Sequence, residues 1–155
     1  MLQPVYQQLD TISDLLSEFD AKAPSVSEAS VGWHLEHLLL VNGRVAEALI
    51  QSNPADYQWT FNLKKSIVLF IKRIPRGKAK APKTARPEGN QSPEDLRNRI
   101  PGLKEKLAGL TKLHPNANFQ HPFFGMLNLK TTIRFLFVHN QHHLKIVQDI
   151  LAQKP

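Results

Sequence analysis

Two imidazoles four residues apart, His139 and His143, stand in the run Phe135 to Ile146, which reads Phe-Leu-Phe-Val-His-Asn-Gln-His-His-Leu-Lys-Ile. At about 100° per residue on a helix they lie within about 40° of each other and roughly one turn apart, so both rings reach one point beside the axis. That spacing suits a metal ion. Thr132, Leu136, Ile146, Val147 and Ile150 share their side of the wheel, while Lys130, Arg134, Lys145 and Gln148 lie opposite, which turns both histidines inward. His142 sits well round from that centre. A lone inward histidine is most often a satisfied core residue. Two stacked imidazoles in an apolar stripe, however, leave several ring nitrogens to satisfy, and unpaired buried polar groups are costly. The pair lacks the glutamate that follows the first histidine in a metalloprotease helix, so a third ligand from elsewhere decides between metal and core.

Composition narrows the chemistry. The chain has 155 residues, 41% of them hydrophobic, enough for one domain with a sizeable core. It has no cysteine, which removes disulfides, thiolate zinc sites and cysteine nucleophiles together and leaves His, Asp and Glu to hold any metal. The opening Met-Leu-Gln-Pro-Val-Tyr-Gln-Gln has no apolar signal core, and no later run approaches the roughly 20 residues of a membrane span. A soluble, cytoplasmic protein without a membrane partner is expected. The net charge of +7 raises the question of nucleic acid. Seven basic residues, Lys72, Arg73, Arg76, Lys78, Lys80, Lys83 and Arg86, fall in one acid-free stretch, and the other 13 balance 13 acids. No reading motif or aromatic platform accompanies them, so nucleic acid is disfavoured. A solvated loop is the plain reading, and gathering of anionic substrates the functional one.

The elements that must position the histidines follow from periodicity. Pro4 to about Asp20 carries Val5, Leu9, Ile12, Leu15, Leu16 and Phe19 at helical spacing. Ser30 caps a second helix running to about Gln51, with Val31, Leu35, Leu38, Val41, Val45 and Leu49 on one face. Leu63 to Ile74 reads as a short accessory helix, and Pro75 to Gln91, rich in proline, glycine and charge, as a flexible basic loop. Ser92-Pro93-Glu94-Asp95 starts a third main helix to about Leu113, with Pro101 an irregularity near its start. His114 to Leu127 reads as an apolar loop with no strand signal, and Asn128 caps a last helix to about Gln153. The expected fold is all-α: a single domain over residues 1–155, a four-helix bundle with a long crossover between the second and third main helices, plus the accessory helix. The second helix offers His34, nearer the centre of its apolar face, and His37 on the flank. Periodicity favours His34, but a helix in a bundle touches two neighbours and a flank position can also point inward.

Three segments carry a resemblance: Ser30-Val31-Gly32-Trp33-His34-Leu35-Glu36-His37, then His121-Pro122-Phe123-Phe124-Gly125, then His139-Asn140-Gln141-His142-His143-Leu144. In that order they resemble the DinB-like superfamily, also called DinB/YfiT-like metalloenzymes, and within it a small branch of bacterial proteins with a His-Pro-x-Phe-Gly segment before the last helix. The resemblance implies a four-helix bundle holding a divalent metal by one histidine of the second helix and two of the last. By motif these are His37, in the Leu-x-His pattern, with His139 and His143, against the wheel's choice of His34. Three imidazoles leave an open position, as in catalytic rather than structural sites. Zinc or nickel suits such ligands best, with iron or manganese compatible.

The superfamily also implies chemistry on a low-molecular-weight thiol, as S-transfer or isomerisation, or hydrolysis, since a bound cation stabilises thiolate or hydroxide near neutral pH. The expected partner is a small-molecule substrate, and a homodimer is compatible. No catalytic residue is assigned: Glu36 is adjacent to His37 in sequence but points about 100° away. Trp33, Phe123 and Phe124 would wall a pocket or simply fill core. His121 would line the pocket or fix a turn, His34 would line the pocket or support the ligands from behind, and His142 would support them or lie on a flank. The rival reading is a metal-binding or interaction module without catalysis, and less favoured still is nucleic-acid binding through the basic loop.

Overall fold

The computed structural model describes residues 1–76 and 85–153. Five α-helices dominate: α1 (Gln3–Leu15), α2 (Val31–Gln51), α3 (Leu63–Ile71), α4 (Pro93–Gly109) and α5 (Leu129–Leu151). Four of the five begin at a side-chain cap. Ser30, Asn62 and Asn128 accept the backbone N–H of Trp33, Lys65 and Thr131, capping α2, α3 and α5. Ser92 and Asp95 form a reciprocal capping box on α4, and Pro101 is carried inside that helix. Two main helices finish earlier than periodicity suggests, because α1 and α4 tighten into 3-10 turns at Leu16–Glu18 and Leu110–Lys112. Helix α3 ends where Lys72 adopts a left-handed backbone with φ of 51°.

Helices α1, α2, α4 and α5 share one core. Helix α2 packs on both α5 and α4, and α1 packs on the same two, so Leu9, Ile12, Leu35, Leu38, Leu96, Leu107, Leu136 and Val147 are all buried between them. Within this apolar interior Asn42 donates from Nδ2 to Asn140 Oδ1 at 2.8 Å and to the Leu38 carbonyl, tying α2 to α5. Both asparagines are fully buried.

The expectation of an all-α chain needs one correction. Asn118–His121 (β1) and Gly125–Asn128 (β2) pair antiparallel with Phe119 opposite Leu127 and His121 opposite Gly125. Four residues a side are too few to show an alternating pattern, and the hairpin is closed by Gly125 at φ of 70°. The segment read as an apolar loop is thus a small two-stranded sheet packed on α2 and α5.

The α2 to α4 connection contains α3 and the basic stretch. Residues 77–84, with Lys78, Lys80 and Lys83, lie outside the described residues, and with them the middle of the loop expected at about 75–91. At its described ends Arg76 pairs with Asp149 of α5 at 2.6 Å, and Ala85 to Gly89 meets α2, as detailed below.

Gly32 lets α2 approach the end of the first helical segment. A Cβ there would stand 2.6 Å from two ring carbons of Phe19, and the Gly32 N–H donates to the Phe19 carbonyl at 2.8 Å. Gly32→Ala is therefore expected to destabilise by about 1–3 kcal/mol, read as a lower urea midpoint with an unchanged m-value; an unshifted midpoint would mean the ring yields freely.

Candidate metal centre

Helices α2 and α5 bring four imidazoles together. His37 Nε2 lies 3.2 Å from His139 Nε2, and His34 Nδ1 lies 3.0 Å from His143 Nδ1. The rings of His37 and His143 are 4.5 Å apart between centroids, and those of His139 and His143 4.7 Å. His37, His139 and His143 each offer a ligand atom, all within 4.8 Å of one another. The His37–His139 separation is close to the edge of a tetrahedron with metal–nitrogen bonds of about 2.0–2.1 Å, an edge of roughly 3.3 Å.

Hydrogen bonding fixes which nitrogen of His37 is bare. His37 Nδ1 faces the Ala85 carbonyl at 2.6 Å; a carbonyl only accepts, so Nδ1 carries the proton and Nε2 presents its lone pair to the cluster. The His37 ring also stacks on Trp33, 5.1 Å between centroids and 12° from parallel. His34 continues away from His143 through Nε2 to Ser27 Oγ at 3.1 Å, and that oxygen accepts the Ala29 N–H. One network satisfies all of these atoms with His143 donating from Nδ1 to His34 and His34 donating from Nε2 to Ser27, leaving His143 Nε2 bare. The reversed chain satisfies them too. His139 Nδ1 is buried with no hydrogen-bond partner.

Burial keeps the cluster neutral. It lowers His34 to about 4, helped by nearby His37. It lowers His37 against the opposing bond to Ala85. It holds His139 and His143 well below the ordinary imidazole value, with neighbouring histidines adding to the effect. At neutral pH these rings are therefore lone-pair donors, and among the described residues no carboxylate belongs to the group. A cation fits such a donor set, since it takes the bare nitrogens that the rings cannot all satisfy among themselves.

The remaining candidates divide. His121 is buried, stacks on Phe124 at 4.4 Å and meets Phe135 edge-on, and Phe135 in turn lies 5.5 Å from His139. Its Nδ1 accepts the N–H groups of Phe123 and Phe124 across the turn, which leaves the proton on Nε2. Phe124 is buried but Phe123 is exposed. His142 bonds the Ile74 carbonyl and sits edge-on to His143. Glu36 is buried, with its carboxyl raised by desolvation and partly offset by Arg99. It accepts backbone N–H groups of Glu88 and Gly89. Sequence reasoning missed Ser27, Ala85 and this role of Glu36. All three act through chain segments with no periodicity, so only the threefold crowding of histidines could have hinted that partners were needed.

The geometry defines a mostly helical protein whose clustered neutral histidines could hold a metal ion. A family model described as the DinB superfamily matches residues 5–147, and the chain belongs to that superfamily. Among curated proteins and solved structures, none matches the chain.

Proposed function

We propose that this chain is a DinB-type four-helix bundle, with its crossover between α2 and α4, that holds a divalent metal through His37, His139 and His143 for transfer or hydrolysis of a small substrate. Zinc or nickel suits three imidazoles best. The observation carrying the reading is the pair of facing Nε2 atoms of His37 and His139 at 3.2 Å, with the His37 proton pinned on the other nitrogen by Ala85. When bound, the ion supplies Lewis acidity that lowers the pKa of a coordinated thiol or water.

The chain's own residues prepare that site. Ala85 and Trp33 fix the His37 ring by hydrogen bond and stacking. Of the two hydrogen-bond networks open to His143, the one in which its Nδ1 donates to His34, backed by Ser27, leaves Nε2 bare, and an ion bound there would select it. Glu36, the nearest buried carboxylate in sequence, is engaged by Glu88 and Gly89, and among the described residues no carboxylate joins the histidine group to act as a base. That favours a substrate that ionises on coordination, such as a low-molecular-weight thiol, over one needing general-base help. The same absence of a base also favours a second reading, a metal-binding module that braces α2 and α5 without catalysis.

A panel of small thiols against a haloaromatic electrophile, on metal-loaded protein and on His37→Ala, separates these. Turnover that requires both thiol and His37 is expected. Turnover without thiol would point to hydrolysis, and no turnover with a metal-dependent rise in melting temperature would establish the bracing module instead.

A further inference from the structure

Helix α3 is turned inside out for a surface helix. It contacts the core through Val68 and Leu69, while its wider apolar face is exposed: Leu63, Ile67, Ile71 and Phe70, the last 82% accessible. Just before it, Trp59 and Phe61 are 71% and 70% accessible. The Asn62 side chain donates to the Phe123 carbonyl at 3.2 Å, which brings the exposed ring-bearing turn of the hairpin alongside. Seven large apolar side chains from three neighbouring segments thus face outward, more than the scattered apolar residues of an ordinary surface.

Charge identifies what covers them. From Tyr57 to Pro87 the sequence has nine Lys and Arg residues and no acid, leaving 11 basic against 13 acidic residues elsewhere. The entire positive excess is therefore contiguous in sequence with the segment that carries the apolar face. Lys64 and Arg73 are exposed, and among the described residues neither forms a salt bridge. A second copy seated on this face would bring two such cationic stretches together. An anionic bilayer instead takes apolar side chains into its headgroup boundary and draws Lys and Arg to its surface, with Trp and Phe suited to that depth.

We propose that α3, with Trp59, Phe61 and Phe123, is a docking surface for an anionic lipid bilayer. No helix of the described residues is long and apolar enough to cross a membrane, and the nine residues of α3 lie in the interface rather than span it. The absence of a spanning run among the described residues does not bear on this mode. The proposal is independent of the metal.

The test is flotation of the full-length protein with phosphatidylcholine vesicles, pure or containing about a third phosphatidylglycerol. Partition into the anionic vesicles is expected, weakening toward 0.5 M salt, roughly a 4 Å screening length, with a blue shift of Trp59 emission. Trp59→Ser with Phe70→Ser should lower partition by about tenfold or more, without changing the melting temperature, since both side chains are exposed. Trp59→Phe should keep partition and lose the shift. Equal partition into neutral vesicles, or none into anionic ones, overturns the proposal. So does micromolar self-association that the double variant abolishes while vesicles are ignored, which would give the face to a second copy.

Discussion

Replacing His139 and His143 together by alanine is expected to leave tag-free protein without bound metal where the unaltered chain carries about one ion. The two rings supply two of the three potential ligand atoms that lie within 4.8 Å of one another, and among the described residues no carboxylate joins that group to substitute. Metal at about 1,000 times its dissociation constant stabilises the folded state by about 4 kcal/mol, so a zinc-dependent rise in melting temperature should vanish with the ligands. His34→Ala gives the graded counterpart. It keeps all three ligands but removes the partner of His143 Nδ1, and loss of such a partner weakens metal binding about 10- to 100-fold. Equal metal content in the double variant would sink the ligand assignment, and unchanged affinity in His34→Ala would sink the orienting role of His34.

The second large effect is acid lability. In the unfolded chain each histidine takes a proton near pH 6.5, whereas in the folded chain burial holds His34 and His121 at about 4 and His139 and His143 lower than ordinary too. Between those values the unfolded state binds more protons. Stability present above about 6.5 is therefore lost as pH falls, by up to about 1.4 kcal/mol per unit for each neutral buried ring. With several such rings, the metal-free melting temperature should drop steeply between pH 6.5 and 5. Saturating zinc should move the drop to lower pH, because the ion competes with protons for the same nitrogens. A melting temperature constant from pH 7 to 5 would refute this account.

What the sequence could reveal of this site follows from how each part is encoded. His139 and His143 were legible because helical spacing alone aligns them. The caps Ser30, Ser92 and Asn128 were legible because capping is local chemistry of three or four residues. The choice between His34 and His37 was not, since α2 packs on two helices and both positions turn out buried. They meet different partners, His37 the Nε2 of His139 and His34 the Nδ1 of His143, and no single-helix projection distinguishes those. Only the resemblance singled out His37. The hairpin escaped because its strands are four residues long, and Ala85 escaped because a backbone carbonyl has no sequence signature.

The buried Asn42–Asn140 pair has a consequence for how fast and how faithfully the site assembles. Sliding α2 one turn along α5 would part the two amides inside an apolar interior, stranding donors and acceptors that cost about 1–3 kcal/mol apiece. Asn140 neighbours His139, and Asn42 lies five residues beyond His37, so the alignment that satisfies the amides is also the one that sets His37 against His139. The alignment is thus written into the protein before any ion arrives. A cation that bound there would meet rings already gathered, would not have to order the helices itself, and would retain more of its binding free energy as affinity.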